Sequence, residues 1–197
     1  MKPRLLLASL ALAALAAQAP AHATDIALPV NGAWSTFAVD SFLATDAGLD
    51  WIDDAGNTVR FTFVIGSGLT GMLTVLDTGF AGDMFSVLNG ASPLGSTSTV
   101  QMGQYDPDAM SVADPGLALA DTSFSRATFL LGAGSYSISG VLTQSLLIGA
   151  DALDSTSGAL RLTSASVAPV PEPSSLVLML AGLGVIGSIA RRRLARR

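Results

Sequence analysis

Short alternating stretches, each closed off by Gly, Asp, Ser or Pro, recur through residues 24–168 and leave this chain little besides β-structure to form. Arg60-Phe-Thr-Phe-Val-Ile65 places Phe61, Phe63 and Ile65 on one face of a strand. Ser135-Tyr-Ser-Ile-Ser-Gly-Val141 alternates in the same way, with Tyr136 and Ile138 on one face, serines on the other, and Val141 nearby. Residues 34–43, 72–76, 84–88, 124–131 and 160–163 carry further runs rich in β-branched and aromatic residues, which suit a half-buried pleated surface. Helical signal is poor here. The best candidate, residues 108–120, is interrupted by Pro115 and Gly116, so residues 103–121 are expected to form a long loop kept in water by Asp106, Asp108, Asp114 and Asp121. Seven or eight short strands with frequent turns predict an all-β, single β-sandwich-like domain, its jelly-roll or Ig-like topology undetermined, with a closed barrel as the second choice.

Charge divides the chain more sharply than hydropathy does. Residues 24–170 hold three arginines (Arg60, Arg126 and Arg161) against fourteen aspartates, a net charge of −11, whereas the whole chain carries −5. The missing basic residues lie at the two ends: Lys2 and Arg4, then Arg191, Arg192, Arg193, Arg196 and Arg197. An acidic body has no patch with which to neutralise phosphates, which argues against nucleic acid as a partner. There is no cysteine, so the body must be held by its core alone.

The two ends read as an itinerary. Residues 1–23 have the form of a secretory signal, with Lys2 and Arg4, an apolar run over residues 5–17, and Ala21-His22-Ala23 as a small-x-small cleavage site. Thirteen apolar residues are too few for an anchor. At the other end, Pro171-Glu172-Pro173 holds the backbone extended. The uncharged residues 174–190 that follow would span about 25 Å as a helix, close to a bilayer core of about 30 Å. The arginines of residues 191–197 then keep that terminus in the cytoplasm. Domain boundaries of 1–23, 24–168 and 169–197 follow.

Pro171-Glu172-Pro173, the apolar span and the arginine cluster, in that order, resemble the PEP-CTERM sorting tail of exported bacterial proteins. The resemblance implies a substrate of exosortase, a membrane enzyme that cuts near the motif, reached through Sec-type export with a transient stay in the inner membrane. It further implies a Gram-negative bacterium that makes exopolysaccharide, and a structural or adhesive role in surface or biofilm matrix, with extracellular polysaccharide as a possible partner. In that setting Pro171, Glu172 and Pro173 are substrate residues of another enzyme. Residues 73–88, followed by Leu94-Gly-Ser-Thr, also resemble bodies that carry this tail, which implies a small exported β domain and no known reaction.

The body offers little chemistry of its own. His22, the only histidine, lies in the signal, and Glu172 and Lys2 are the only glutamate and lysine. That removes imidazole bases and histidine metal sites, and leaves only an aspartate pair for hydrolysis, so no enzyme and no catalytic residue is expected. Gly66-Ser-Gly-Leu-Thr-Gly71 matches a dinucleotide fingerprint, but a strand rather than a helix follows it, and a glycine-rich hairpin turn is expected instead. Asp77-Thr-Gly-Phe-Ala-Gly-Asp83 sets two carboxylates about a glycine-bearing turn; they suit calcium, and equally suit turn-forming, solubilising residues. No other cofactor is expected. Asp50, Asp53 and Asp54 gather near Trp51, and Trp34 and Trp51 are either sugar-stacking platforms or core residues. An extracellular carbohydrate- or calcium-binding module is therefore the alternative function, ahead of an aspartate-based hydrolase. N-terminal sequencing of the exported protein is expected to begin at Thr24, and a sequence beginning at Met1 would contradict the signal.

Overall fold

The computed structural model describes residues 23–166 apart from Ala47 and Met110, together with Arg191. The chain divides into two compact units, Met1–Ala165 and Ser166–Arg197, and nearly all described residues belong to the first. Residues 1–22 and the 174–190 span lie outside the described residues, among which no helix is long and apolar enough to cross a membrane.

The body is mostly β-structure in a sandwich-like arrangement. One sheet has the order β1-β3-β8-β5-β6, formed by Thr24–Ala27 (β1), Val59–Ile65 (β3), Gly134–Gln144 (β8), Met84–Asn89 (β5) and Ser92–Ser96 (β6). The other has the order β2-β11-β4-β7, formed by Asn31–Asp40 (β2), Ser155–Ser166 (β11), Leu69–Thr78 (β4) and Arg126–Leu131 (β7). Leu147–Ile148 (β9) and Asp151–Ala152 (β10) pair as a small ribbon. β1 joins β3 in parallel, from Thr24 opposite Val59 to Ala27 opposite Thr62. Two separate main sheets make the body sandwich-like rather than a closed barrel.

Period-2 patterning explains what each strand buries. In β3 the residues Val59, Phe61, Phe63 and Ile65 are buried, while Arg60 and Val64 between them face water. Leu73 and Val75 of β4, Phe85 and Val87 of β5, Ile138 and Leu142 of β8, and Leu160 and Leu162 of β11 complete the core between the sheets. At its centre Phe37 lies flat on Trp51, with ring centroids 3.8 Å apart and planes 17° apart. Phe85 meets both rings edge-on, at 5.2 and 6.1 Å. Two glycines make room for this stack. A Cβ on Gly140 would stand 2.3 Å from Trp51 Cε2, and one on Gly158 would stand 2.2 Å from Phe37 Cζ.

Two expectations from the sequence need correction. The segment expected to be a loop contains a helix, Pro115–Ala120 (α1). Pro115 does not interrupt this helix but begins it: at the first helical position its missing N–H costs nothing, and Asp114 Oδ1 accepts from Gly116 N at 2.6 Å and Leu117 N at 3.3 Å. The guanidinium of Arg126 donates to the carbonyls of Leu119, Asp121 and Phe124, closing the helix's other end. Ala118 of α1, Leu76 of β4 and Phe124 form a second small core. The second correction concerns residues 66–71. They are not a hairpin turn, because β3 and β4 belong to different sheets and the link crosses between them.

The aromatic slot sets a clear expectation for stability. Gly140→Ala should cost about 1–3 kcal/mol by overpacking against Trp51, read as a lowered melting temperature. Gly132→Ala, where an added Cβ meets nothing within 4 Å, should leave it within about 0.5 kcal/mol.

Candidate functional site

The strand pattern that builds the core also brings two carboxylates into it. In β4, Asp77 follows Leu73 and Val75 at intervals of two, so the pleat turns it to the same inward side. Asp83 precedes β5 by one residue and stands two before Phe85, on that strand's buried side. Gly79 (φ 86°) and Gly82 (φ 132°) give the connecting loop its tight course, and a Cβ at Gly82 would stand 2.7 Å from Leu146 Cδ2. The loop folds back so that the Asp83 amide donates to Asp77 Oδ2 at 3.3 Å. Asp83 Oδ1 in turn accepts from Leu146 N at 2.9 Å.

Both side chains are sealed from solvent, Asp77 at 0% exposure and Asp83 at 1%. Burial leaves them no solubilising part, whereas the bond from the Asp83 amide to Asp77 keeps them turn-forming. Among the described residues Asp77 Oδ1 has no hydrogen-bond partner. Burial, followed by the neighbouring charge of Asp83, pushes the Asp77 carboxyl up to about 9. Burial also raises that of Asp83. No arginine of the body answers these charges. Arg60 pairs with Asp25 at 2.9 Å, Arg126 is spent on carbonyls beside α1, and Arg161 lies 4.5 Å over the Trp34 ring. Against Asp83 lies a cavity of about 190 Å³, lined also by Thr78, Phe80, Ser155, Thr156 and Ser157.

The other candidates are placed differently. Asp53 accepts from the amides of Ala55 and Asn57, each at 2.9 Å, and from the Thr24 hydroxyl at 3.1 Å. The Asn57 amide bond is the main cause that lowers its carboxyl below the usual range, so Asp53 serves its own loop. Asp50 is half-buried and Asp54 exposed. Trp51 is fully buried in the core, with its indole Nε1 unpartnered, and offers no face to a sugar. Trp34 is partly buried beneath Arg161. Ala23 is half-buried just ahead of β1, whereas Ala21 lies outside the described residues. Pro171, Glu172, Pro173, Arg192, Arg193, Arg196 and Arg197 also lie outside them, and Arg191 is exposed. The sequence marked Asp77 and Asp83 as a pair. It gave no weight to their shared parity with Leu73, Val75 and Phe85, the signal from which their burial follows.

Comparison with known proteins decides the nature of the tail. Residues 169–197 match the family model described as the PEP-CTERM protein-sorting motif. The chain carries that sorting motif, which implies a protein exported towards the cell surface and processed by an exosortase. No curated protein matches the chain. Among solved structures it is similar to the pre-peptidase C-terminal domain of collagenase from Bacillus anthracis, at 11% identity and a TM-score of 0.37, over 74% of this chain and 99% of that one.

The buried pair has a direct consequence for stability without added ions. Asp77 is raised from its ordinary 3.8 to about 9 on folding, so between those values the folded chain holds a proton that the unfolded chain has lost. Stability then falls as pH rises through that window, by up to about 1.4 kcal/mol per pH unit for one proton. In chelator, melting temperature is expected to fall from pH 5 to pH 8, and Asp77→Asn should flatten that slope. An unaltered slope in the variant would assign the pH dependence to other groups.

Proposed function

We propose that this protein is a non-enzymatic component of surface or extracellular matrix, delivered by its tail and structural or adhesive once outside. The single observation behind this reading is the sorting motif at residues 169–197. In this reading residues 174–190 hold the chain in the inner membrane after export, with Arg191, Arg192, Arg193, Arg196 and Arg197 on the cytoplasmic side. Exosortase then cuts near Pro171-Glu172-Pro173 and frees the body. The acidic charge of residues 24–170 supports a place among hydrated extracellular polymer, because strong net charge keeps a secreted domain soluble. The absence of histidine, cysteine, lysine and glutamate from residues 24–170 supports a role in which the body binds or supports rather than reacts.

Intact mass of the extracellular form tests the delivery. A mass ending near Val170 is expected, and one retaining the terminal arginines would contradict processing. Glu172→Ala should accumulate in the membrane fraction and fall several-fold in the matrix fraction. Equal recovery of variant and wild type from the matrix would sink the proposal.

A further inference from the structure

Two carboxylates buried together, with one oxygen unpartnered and no basic side chain among the described residues to answer them, are held either by a proton or by a bound cation. A lone ionised carboxylate is costly to hold in a protein interior, and a second beside it adds repulsion. Among residues 23–166 the basic side chains are Arg60, Arg126 and Arg161, and each is engaged elsewhere. Asp77 is fully buried, and its Oδ1 has no hydrogen-bond partner among the described residues; Asp83 and Thr78, the residue after Asp77, border a cavity of about 190 Å³ that Asp77 itself does not line. That volume is several times the roughly 30 Å³ of one water, so an ion with part of its hydration fits there. Hydroxyls of Thr78, Ser155, Thr156 and Ser157 line the same space.

We infer that Asp77 and Asp83 form a binding site for one calcium ion at the end of the sandwich core, completed by hydroxyl, carbonyl and water oxygens around the cavity. The donor set is all oxygen, which selects a hard cation over zinc or copper. Among the described residues no group of three or more His, Cys, Asp or Glu gathers as a metal site, so two carboxylates must share the shell with neutral oxygens. Calcium accepts six to eight oxygens in loose geometry and tolerates such a mixture; magnesium demands a near-octahedral shell and parts reluctantly with its water. The ion would tie β4 of one sheet to the start of β5 in the other, with Leu146 as the third point of attachment through its amide. Sites of few charges have dissociation constants of about 10⁻⁴–10⁻³ M, the range of extracellular calcium modules.

Calorimetric titration and thermal melting of the purified full-length chain in detergent test this, with Asp77→Asn and Asp83→Asn beside the wild type. One calcium per chain is expected, with a melting rise of about 5 °C in about 10 mM calcium for the wild type and none in either variant. An unchanged wild-type melting curve overturns the inference and leaves the pair holding a proton only. Variants that bind as the wild type does also overturn it, since the ion then sits elsewhere. An equal rise with magnesium overturns the choice of calcium. Should both variants fail to fold, hydrogen exchange on the wild type decides: calcium should slow exchange in residues 77–84 and 145–157, and no change there refutes the site.

Discussion

A stack of two aromatic rings lies at the centre of the core between the sheets, and two glycines must stay bare to admit it. Packed sheets lie about 10 Å apart, enough for two rings face to face only if nothing else intrudes. Phe37 and Trp51 are those rings, and Gly158 and Gly140 are the bare backbone on either side of them. Phe37 stands directly opposite Gly158 on the neighbouring strand and covers it. Trp51 is fastened to the other sheet by its amide, which donates to Gly140 O at 3.0 Å. The arrangement holds despite the unpartnered indole Nε1, a burden of about 1–3 kcal/mol. The aromatic packing, edge contacts from Phe85 and Phe61 included, must outweigh it.

The same inward faces that carry this apolar centre carry Asp77 and Asp83 at its border. Leu73 and Val75 lead to Asp77 along β4, and Asp83 leads to Phe85 and Val87 along β5. The pair therefore sits in a dry environment made by its own strands. A dry surrounding makes every charge stronger and every missing partner costlier. Burial at this position raises both carboxyls above the ordinary range, and it is what distinguishes them from the twelve other aspartates of the body.

Much of the architecture was legible in the sequence, because alternation over a few residues is a local property. Phe61, Phe63 and Ile65 share a buried face as their spacing requires, and residues 84–88 fall within a strand. Partner choice is not local. Nothing in Gly66-Ser-Gly-Leu-Thr-Gly71 distinguishes a turn within one sheet from a crossing to the other, since both need the same flexible backbone. Helix α1 is hidden for a different reason: proline breaks a helix from within, whereas Pro115 after Asp114 starts one. The burial of Asp77 and Asp83 was hidden by composition, as aspartate is so often solvated that its parity with neighbouring apolar residues carries little weight. The tail was legible as an address, three short features in a fixed order, without any folded geometry.

The place of β11 has a bearing on when this body can exist at all. Ser155–Ser166 lies between β2 and β4, so two strands made early meet only through one made more than a hundred residues after β2 begins. Until that segment arrives, sheet β2-β11-β4-β7 has a gap at its centre, and Phe37 has no Gly158 to cover. Non-local pairing of this kind is slow and waits on the whole chain. A body so wired cannot complete this sheet until the segment up to residue 166 is present. The sorting motif begins three residues later, at 169, so the strand that completes the sheet and the sorting signal are neighbours along the chain.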